Sequence, residues 1–259
     1  RRVSDLRPDH CTAKRERVCN DQGTGYGACK CGCGTEFARQ ITAYRRRGRW
    51  WTDISPLLPL VADGGKQKFR YVTVDKYYLT AKLHLANQGK KTRPFAIVPL
   101  YKGAQFNEKY NSKFKAKKIA VPAGTKKAYI SALITGHGSG TDSENCAEFC
   151  NHTHHFSVGG KTVVKTHAKA KTSSGCANEV KNGVVPNQYG TWPYGRAGWC
   201  PGQDVSLWNA DITDAVEAGK DAEFSYKALF KGKVYVPKWS GQGSYKPVIK
   251  MSSWVVFEK

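Results

Sequence analysis

The chain has 259 residues, 40% hydrophobic and 12% aromatic, which excludes wholesale disorder and allows one large or two modest folded cores. No apolar run approaches the roughly 18–20 residues of a membrane-spanning helix. Lys and Arg number 42 against 20 Asp and Glu, a formal charge of +22, well beyond the roughly 2–8 charges that solubility asks of a small domain. Such an excess points to an anionic partner: nucleic acid, acidic polysaccharide, anionic membrane or mineral surface.

The first residues are Arg1-Arg2 rather than Met, which reads as a processed chain whose signal peptide is already gone. Cys11, Cys19, Cys29, Cys31 and Cys33 follow. The last three alternate at spacing two, whereas zinc-binding pairs prefer two to four intervening residues. Disulfides in an oxidising compartment are therefore expected over metal. Nine cysteines in all leave one free or bonded to a second chain. Arg45, Arg46, Arg47 and Arg49 then crowd against Trp50-Trp51, a basic and aromatic loop.

Strand signals dominate from there. Alternating apolar residues predict strands over Phe69–Val74, Leu79–Leu85, Phe95–Leu100, Ala128–Ile134, Phe224–Phe230, Lys233–Pro237 and Ser253–Phe257. Phe156-Ser-Val158, Gly159-Gly160 and Thr162-Val-Val164 read as a hairpin with a two-residue primed turn. Helical periodicity is nearly absent beyond Thr213–Ala218, so the class is all-β. One unit occurs twice: Asp53-Ile-Ser55 and Asp211-Ile-Thr213 each precede an apolar turn, a Gly/Lys/Asp turn and a predicted strand. That echo implies two similar sandwich domains, 1–90 and 91–259, parted in the polar stretch Asn87–Arg93.

The most informative run is Cys146-Ala-Glu148-Phe-Cys150, followed by Gly175-Cys176 and Tyr194-Gly-Arg196-Ala-Gly-Trp199-Cys200-Pro-Gly202. A disulfide across the first segment closes a tight loop with Glu148 at its centre. A second, between Cys176 and Cys200, pins Arg196 and Trp199. Glu, Arg and Trp on rigid loops suit a polar ring such as a sugar, although two structural disulfides with incidental polar neighbours fit the spacing equally well. Asn151-His-Thr153 is a glycosylation sequon. His152, His154 and His155, with His137, are candidates for a copper or zinc site; period two puts only His152 and His154 on one face, so no metal and no cofactor are expected.

Lysines recur from Lys109 to Lys127, spaced by Tyr110 and Phe114, and again from Lys161 to Lys171. A solvated face is the ordinary fate of such runs. Basic and aromatic mixing also suits single-stranded nucleic acid, but the cysteines and sequon place the chain outside the cell. Sulfated glycans or silica-like mineral are then the better partners, with Lys115, Lys117 and Lys118 and the Arg45–Arg49 loop as candidate contacts.

These segments resemble the peptide-N-glycosidase F family, amidases of paired jelly-roll domains that cleave N-glycans from asparagine. The likeness runs from Ala128-Tyr129 to Gly136-His137-Gly138, then through CAEFC with Thr153-His154 and through Gly175-Cys176 to Arg196-Ala-Gly-Trp-Cys-Pro-Gly202. It implies two consecutive jelly rolls, the first lacking its opening strands, with a sheet edge to be covered by the Cys-rich N-terminus or a partner. It also implies a disulfide between Cys11 and Cys19, although the pairing of the five N-terminal cysteines stays open. The family's essential aspartate follows that disulfide in a Cys-Asp-x-Trp-Asp context. Here the matching slot holds Thr24 or Gly23, and Asp21 comes too early. A second family glutamate maps near Val72–Asp75, where there is none, and the family's Gly-Trp-Gly is Gly136-His137-Gly138. Glu148, Arg196 and Trp199 persist; the reactive carboxylate does not, unless Asp21 replaces it.

The sequence therefore predicts a secreted, catalytically impaired relative that binds an anionic polymer or mineral and self-assembles through the spare cysteine or open edge. The alternative is an active glycoamidase using Glu148, Arg196 and Asp21. A third reading is a glycan-binding lectin using the remnant cleft around Glu148, Arg196 and Trp199, with His137 as a further binding candidate.

Overall fold

The computed structural model describes residues 35–259 apart from 44–45, 68, 70, 74–76, 187–189 and 239–244. Eight strands lie in chain order: β1 (Pro94–Lys102), β2 (Lys117–Ala120), β3 (Lys127–His137), β4 (His152–Val158), β5 (Lys161–Lys165), β6 (Trp208–Asp211), β7 (Asp221–Phe230) and β8 (Val248–Glu258). They form two four-stranded sheets, β1-β8-β3-β6 and β2-β7-β4-β5, in which every pairing is antiparallel. The all-β, jelly-roll reading holds.

Burial explains the sequence pattern of each sheet. In β4 the pattern alternates strictly, burying His152, His154, Phe156 and Val158. These residues and Phe224 and Tyr226 of β7 face Ile130, Ile134, Val255 and Phe257 of β3 and β8 across the sandwich. By contrast β3 is buried over almost its whole length. Its other face, with Tyr129 and Leu133, packs with Trp254 and Val256 beneath Leu57, Val205, Phe37 and Ile41. Strands covered on both sides read as continuous apolar runs rather than alternating ones. Each large side chain so buried contributes roughly 1.5–3 kcal/mol.

The expected hairpin joins β4 to β5, with Gly159 at φ 53° and Gly160 at φ 79°, the left-handed pair that a primed turn needs. The repeated Asp-Ile-Ser/Thr unit is also real at the local level. Asp53 Oδ1 accepts hydrogen bonds from the Ser55 amide at 2.9 Å and hydroxyl at 2.6 Å, and Asp211 Oδ1 accepts from the Thr213 amide at 2.8 Å. Each opens a 3₁₀ turn, Ser55–Leu60 and Thr213–Ala215.

Three expected strands do not form among the described residues. Among the described residues of 69–85 none is in a strand, and Phe69, Val72, Leu79, Leu83 and Leu85 are exposed. Alternation is a strand signal only where a neighbouring strand supplies the ladder, and these residues find none. Lys233–Pro237 likewise forms only a bridge from Lys233 to Phe230. Conversely β2 and β6 were not anticipated, because four-residue edge strands carry too little periodicity to register. No helix among the described residues is long and apolar enough to cross a membrane.

Candidate functional site

Two disulfides organise the site. Cys146–Cys150, with Cα atoms 4.9 Å apart, closes the loop between β3 and β4, and Cys176–Cys200, at 5.6 Å, ties the long β5–β6 connection. Both are compatible with an extracellular protein. The loops are stitched together through backbone: the Glu148 amide donates to Gly138 O at 3.0 Å, and the Ala197 amide donates to Glu148 O at 2.8 Å. Gly136 is required at the junction, because a Cβ there would lie 1.9 Å from Ala147 O.

The predicted side chains converge. Arg196 Nε donates to Glu148 Oε1 at 2.9 Å. Its Nη1 donates to Trp192 O at 3.3 Å and Tyr194 O at 3.2 Å, and Nη2 to Thr191 Oγ1 at 3.3 Å. The guanidinium lies 4.9 Å from the Phe149 ring centroid and 4.7 Å from that of Trp199. Only 4% of the Arg196 side chain is exposed against 18% for Glu148. The arginine thus acts inward, as the clamp that fixes the glutamate. Burial pushes the Glu148 carboxyl above the usual carboxylate value, with Arg196 and the Gly138 backbone offsetting part of the rise.

Trp199 is not the bare stacking platform that the sequence suggested. Its Nε1 donates to Gly136 O at 2.8 Å, Arg196 lies over the ring, and His137 stacks on it at 5.3 Å with a 24° interplanar angle. His137 Nε2 lies 2.8 Å from Thr135 Oγ1, which also accepts from Arg39 Nη1 at 2.6 Å. Arg39 forms a two-point pair with Glu36, both distances 2.7 Å, and Ser252 Oγ donates to Glu36 Oε2 at 2.7 Å. Burial raises the Glu36 carboxyl, but Arg39, Ser252 and Lys250 together outweigh it and hold it below the usual value. For His137, burial and the surrounding cations Lys250, Arg39 and Arg196 push the pKa down to about 3. Glu36 and Arg39 extend the polar network beyond the predicted residues. No motif flagged them, since their role arises only where residues 36–41 cross the outer face of β3 and β8.

The remaining predicted residues fall elsewhere. Asp21, Cys11 and Cys19 lie outside the described residues, as does Arg45. Arg46, Arg47 and Arg49 are exposed, and their loop is held against the Cys200 turn by Trp50 Nε1, which donates to Gly202 O at 2.8 Å. Lys115, Lys117 and Lys118 are exposed before and on β2, in the other sheet. Of the histidines weighed for metal, His155 points away and contacts Thr153 Oγ1 at 2.9 Å, and His137 belongs to the Trp199 stack. His152 and His154 do share a buried face. Their third neighbour is His167, just beyond β5.

Residues 105–256 match the family described as peptide-N-glycosidase F, C terminal. The chain belongs to that family. It is 31% identical over 115 residues to the peptide-N(4)-(N-acetyl-β-D-glucosaminyl)asparagine amidase F of Elizabethkingia miricola, an alignment covering 43% of this chain and 30% of that protein. The chain therefore spans under a third of the curated relative's length. Among solved structures it is similar to PNGase F, a glycosylasparaginase from Flavobacterium meningosepticum, with 24% identity, a TM-score of 0.47, and coverage of 66% and 52% of the two chains. A crystal structure of peptide-N(4)-(N-acetyl-β-D-glucosaminyl)asparagine amidase gives 24% identity and a TM-score of 0.46 over 63% and 52%.

Proposed function

We propose that the protein is a secreted member of this family that binds an anionic polymer or mineral, a sulfated polysaccharide or silica, without amidase activity. The observation that carries the reading is the segment from Lys109 to Lys118. It displays Lys109, Lys113, Lys115, Lys117 and Lys118, all exposed, and only Lys118 has an acidic partner among the described residues, Asp221 at 3.0 Å. The segment is held from within by Phe114, whose ring sits 5.8 Å from Tyr101, 4.9 Å from Tyr110 and 5.0 Å from Tyr226. Unpaired cations on a rigid loop lose little entropy on meeting a polyanion, and many weak contacts then add.

Loss of amidase activity is supported by the state of the remnant cleft. Arg196 donates from Nε, Nη1 and Nη2 to groups within the protein, and Trp199 is partly covered by Arg196 and His137. The experiment is adsorption to silica and to heparin at low and high salt, beside a deglycosylation assay on a denatured glycoprotein. Salt-reversible adsorption with no glycan release is expected. Salt-independent or absent adsorption overturns the binding reading, and released glycan overturns the loss of activity.

One observation favours the family's activity instead. Glu148 keeps a carboxyl pKa raised by burial on a side chain that is still 18% exposed, as a proton donor in amide hydrolysis would need. Under that reading Glu148→Gln abolishes glycan release.

A further inference from the structure

Beneath the Glu148 loop, three imidazoles meet in the interior of the sandwich. His152 and His154 are wholly buried and His167 is 4% exposed. His152 Nδ1 lies 2.9 Å from His154 Nε2, and His167 Nε2 lies 3.3 Å from the same atom. One nitrogen from each ring falls within 4.8 Å of the other two. A tetrahedral ion bound at roughly 2.0–2.1 Å holds its nitrogen ligands roughly 3.3–3.4 Å apart; the two spacings to His154 are close to that, and the third, bounded by 4.8 Å, can close by a side-chain rotation of His167 or His152.

We propose that His152 Nδ1, His154 Nε2 and His167 Nε2 form a three-histidine site for a first-row transition-metal ion that favours imidazole, copper or zinc. The partners of the outer ring atoms support it. His152 Nε2 donates to Ala147 O at 3.1 Å, which fixes that proton and leaves Nδ1 bare in the neutral ring. His154 Nδ1 lies 2.8 Å from Tyr226 Oη, which is itself 3.0 Å from Tyr110 Oη. A carbonyl and a hydroxyl behind the rings are the kind of outer partner that orients metal-binding histidines.

Proton accounting makes the arrangement two-state. Without an ion, one proton on His154 Nε2 serves both bare neighbours, and Nδ1 accepts from the Tyr226 hydroxyl. With an ion, that proton sits on Nδ1 and is donated to Tyr226 Oη, whose own proton turns toward Tyr110. Three lone pairs then converge and no net proton is released. Tyr226 can play either part because a hydroxyl both donates and accepts. Two glycines make room for the rings: a Cβ on Gly136 would lie 2.6 Å from His152 Nε2, and one on Gly198 would lie 3.1 Å from His167 Cε1.

The test strips the full chain with chelator and reloads it with Zn²⁺, or with Cu²⁺ plus ascorbate under anaerobic conditions. Metal content after gel filtration is compared for the wild type, His154→Ala, His167→Gln and His155→Ala. The N-terminal cysteines can hold metal too, so the readout is the difference between proteins. The wild type and His155→Ala should carry one more ion per chain than the other two, with X-ray absorption of that ion showing imidazole scattering. Equal content in wild type and His167→Gln for both metals overturns the proposal, as does a signal from sulfur ligands alone. His167→Gln is the decisive variant if His154→Ala does not fold. His167 belongs to the loop beyond β5 rather than to a strand, and glutamine nearly preserves the volume.

Discussion

Arg196 donates from Nε to Glu148 Oε1 at 2.9 Å, joining two loops that are each closed by their own disulfide. The pair is nearly out of solvent, so removing one partner leaves the other as an uncompensated buried charge. Arg196→Ala should therefore lower stability by about 3 kcal/mol, the low end for a broken buried pair because Glu148 keeps a solvent rim. Glu148→Gln keeps an acceptor for Arg196 Nε but leaves the buried guanidinium without its countercharge, and should cost about 2 kcal/mol. Urea titration of the two variants and the double mutant measures both, and equal losses for the two single changes would contradict the clamp.

Acid should destabilise the protein through His137. Its pKa is about 3 in the fold and about 6.5 in the unfolded chain, so between those values the unfolded chain binds more protons. The contribution is whole above pH 6.5 and is lost as pH falls toward 3. The groups facing His137 are Lys250, Arg39, Arg196 and His152, all of which oppose a further charge. His137→Phe should flatten the fall in melting temperature between pH 6.5 and 4 relative to wild type. Parallel curves would show that His137 does not set that slope.

The two disulfides should differ in worth. Cys176–Cys200 has a sequence separation of 24 and Cys146–Cys150 one of 4, so loop-closure entropy assigns about 3.5 kcal/mol to the first and about 2 kcal/mol to the second. Denaturation of the paired Cys→Ser variants tests the order. A larger loss at Cys146–Cys150 would mean that its strapping of Glu148 outweighs chain entropy.

Replacing Lys113, Lys115, Lys117 and Lys118 together by Gln should move elution from a heparin column to clearly lower salt. Surface substitutions of this kind change stability by about 0.5 kcal/mol or less each, so the melting temperature should hold nearly constant. Unchanged elution would shift the anion-binding role to the exposed Arg46–Arg49 loop.

Glu148 and Arg196 were legible because Cys146 and Cys150 confine Glu148 to a tight loop and because the run from Arg196 to Gly202 carries the family resemblance. His167 was not. It stands 13 residues from His154, and only the return of β5 along β4 brings it under that strand. Glu36 and Arg39 were equally hidden, since they acquire partners on Thr135, Lys250 and Ser252, far along the chain. The strands expected over 69–74 and 79–85 failed for the converse reason. Alternation records a face fit to be covered, and it does not supply the neighbouring strand.

By itself the order of residues determined the all-β class, the turn at Gly159-Gly160, the tight Cys146–Cys150 loop and the surplus of positive charge. Each of these is set by backbone preference or by composition over a few residues. Tertiary structure alone decided that Arg196 faces inward, that Trp199 is partly covered by Arg196 and His137, and that three histidines become neighbours in the interior. Those outcomes depend on which distant segments a sheet brings within hydrogen-bonding reach.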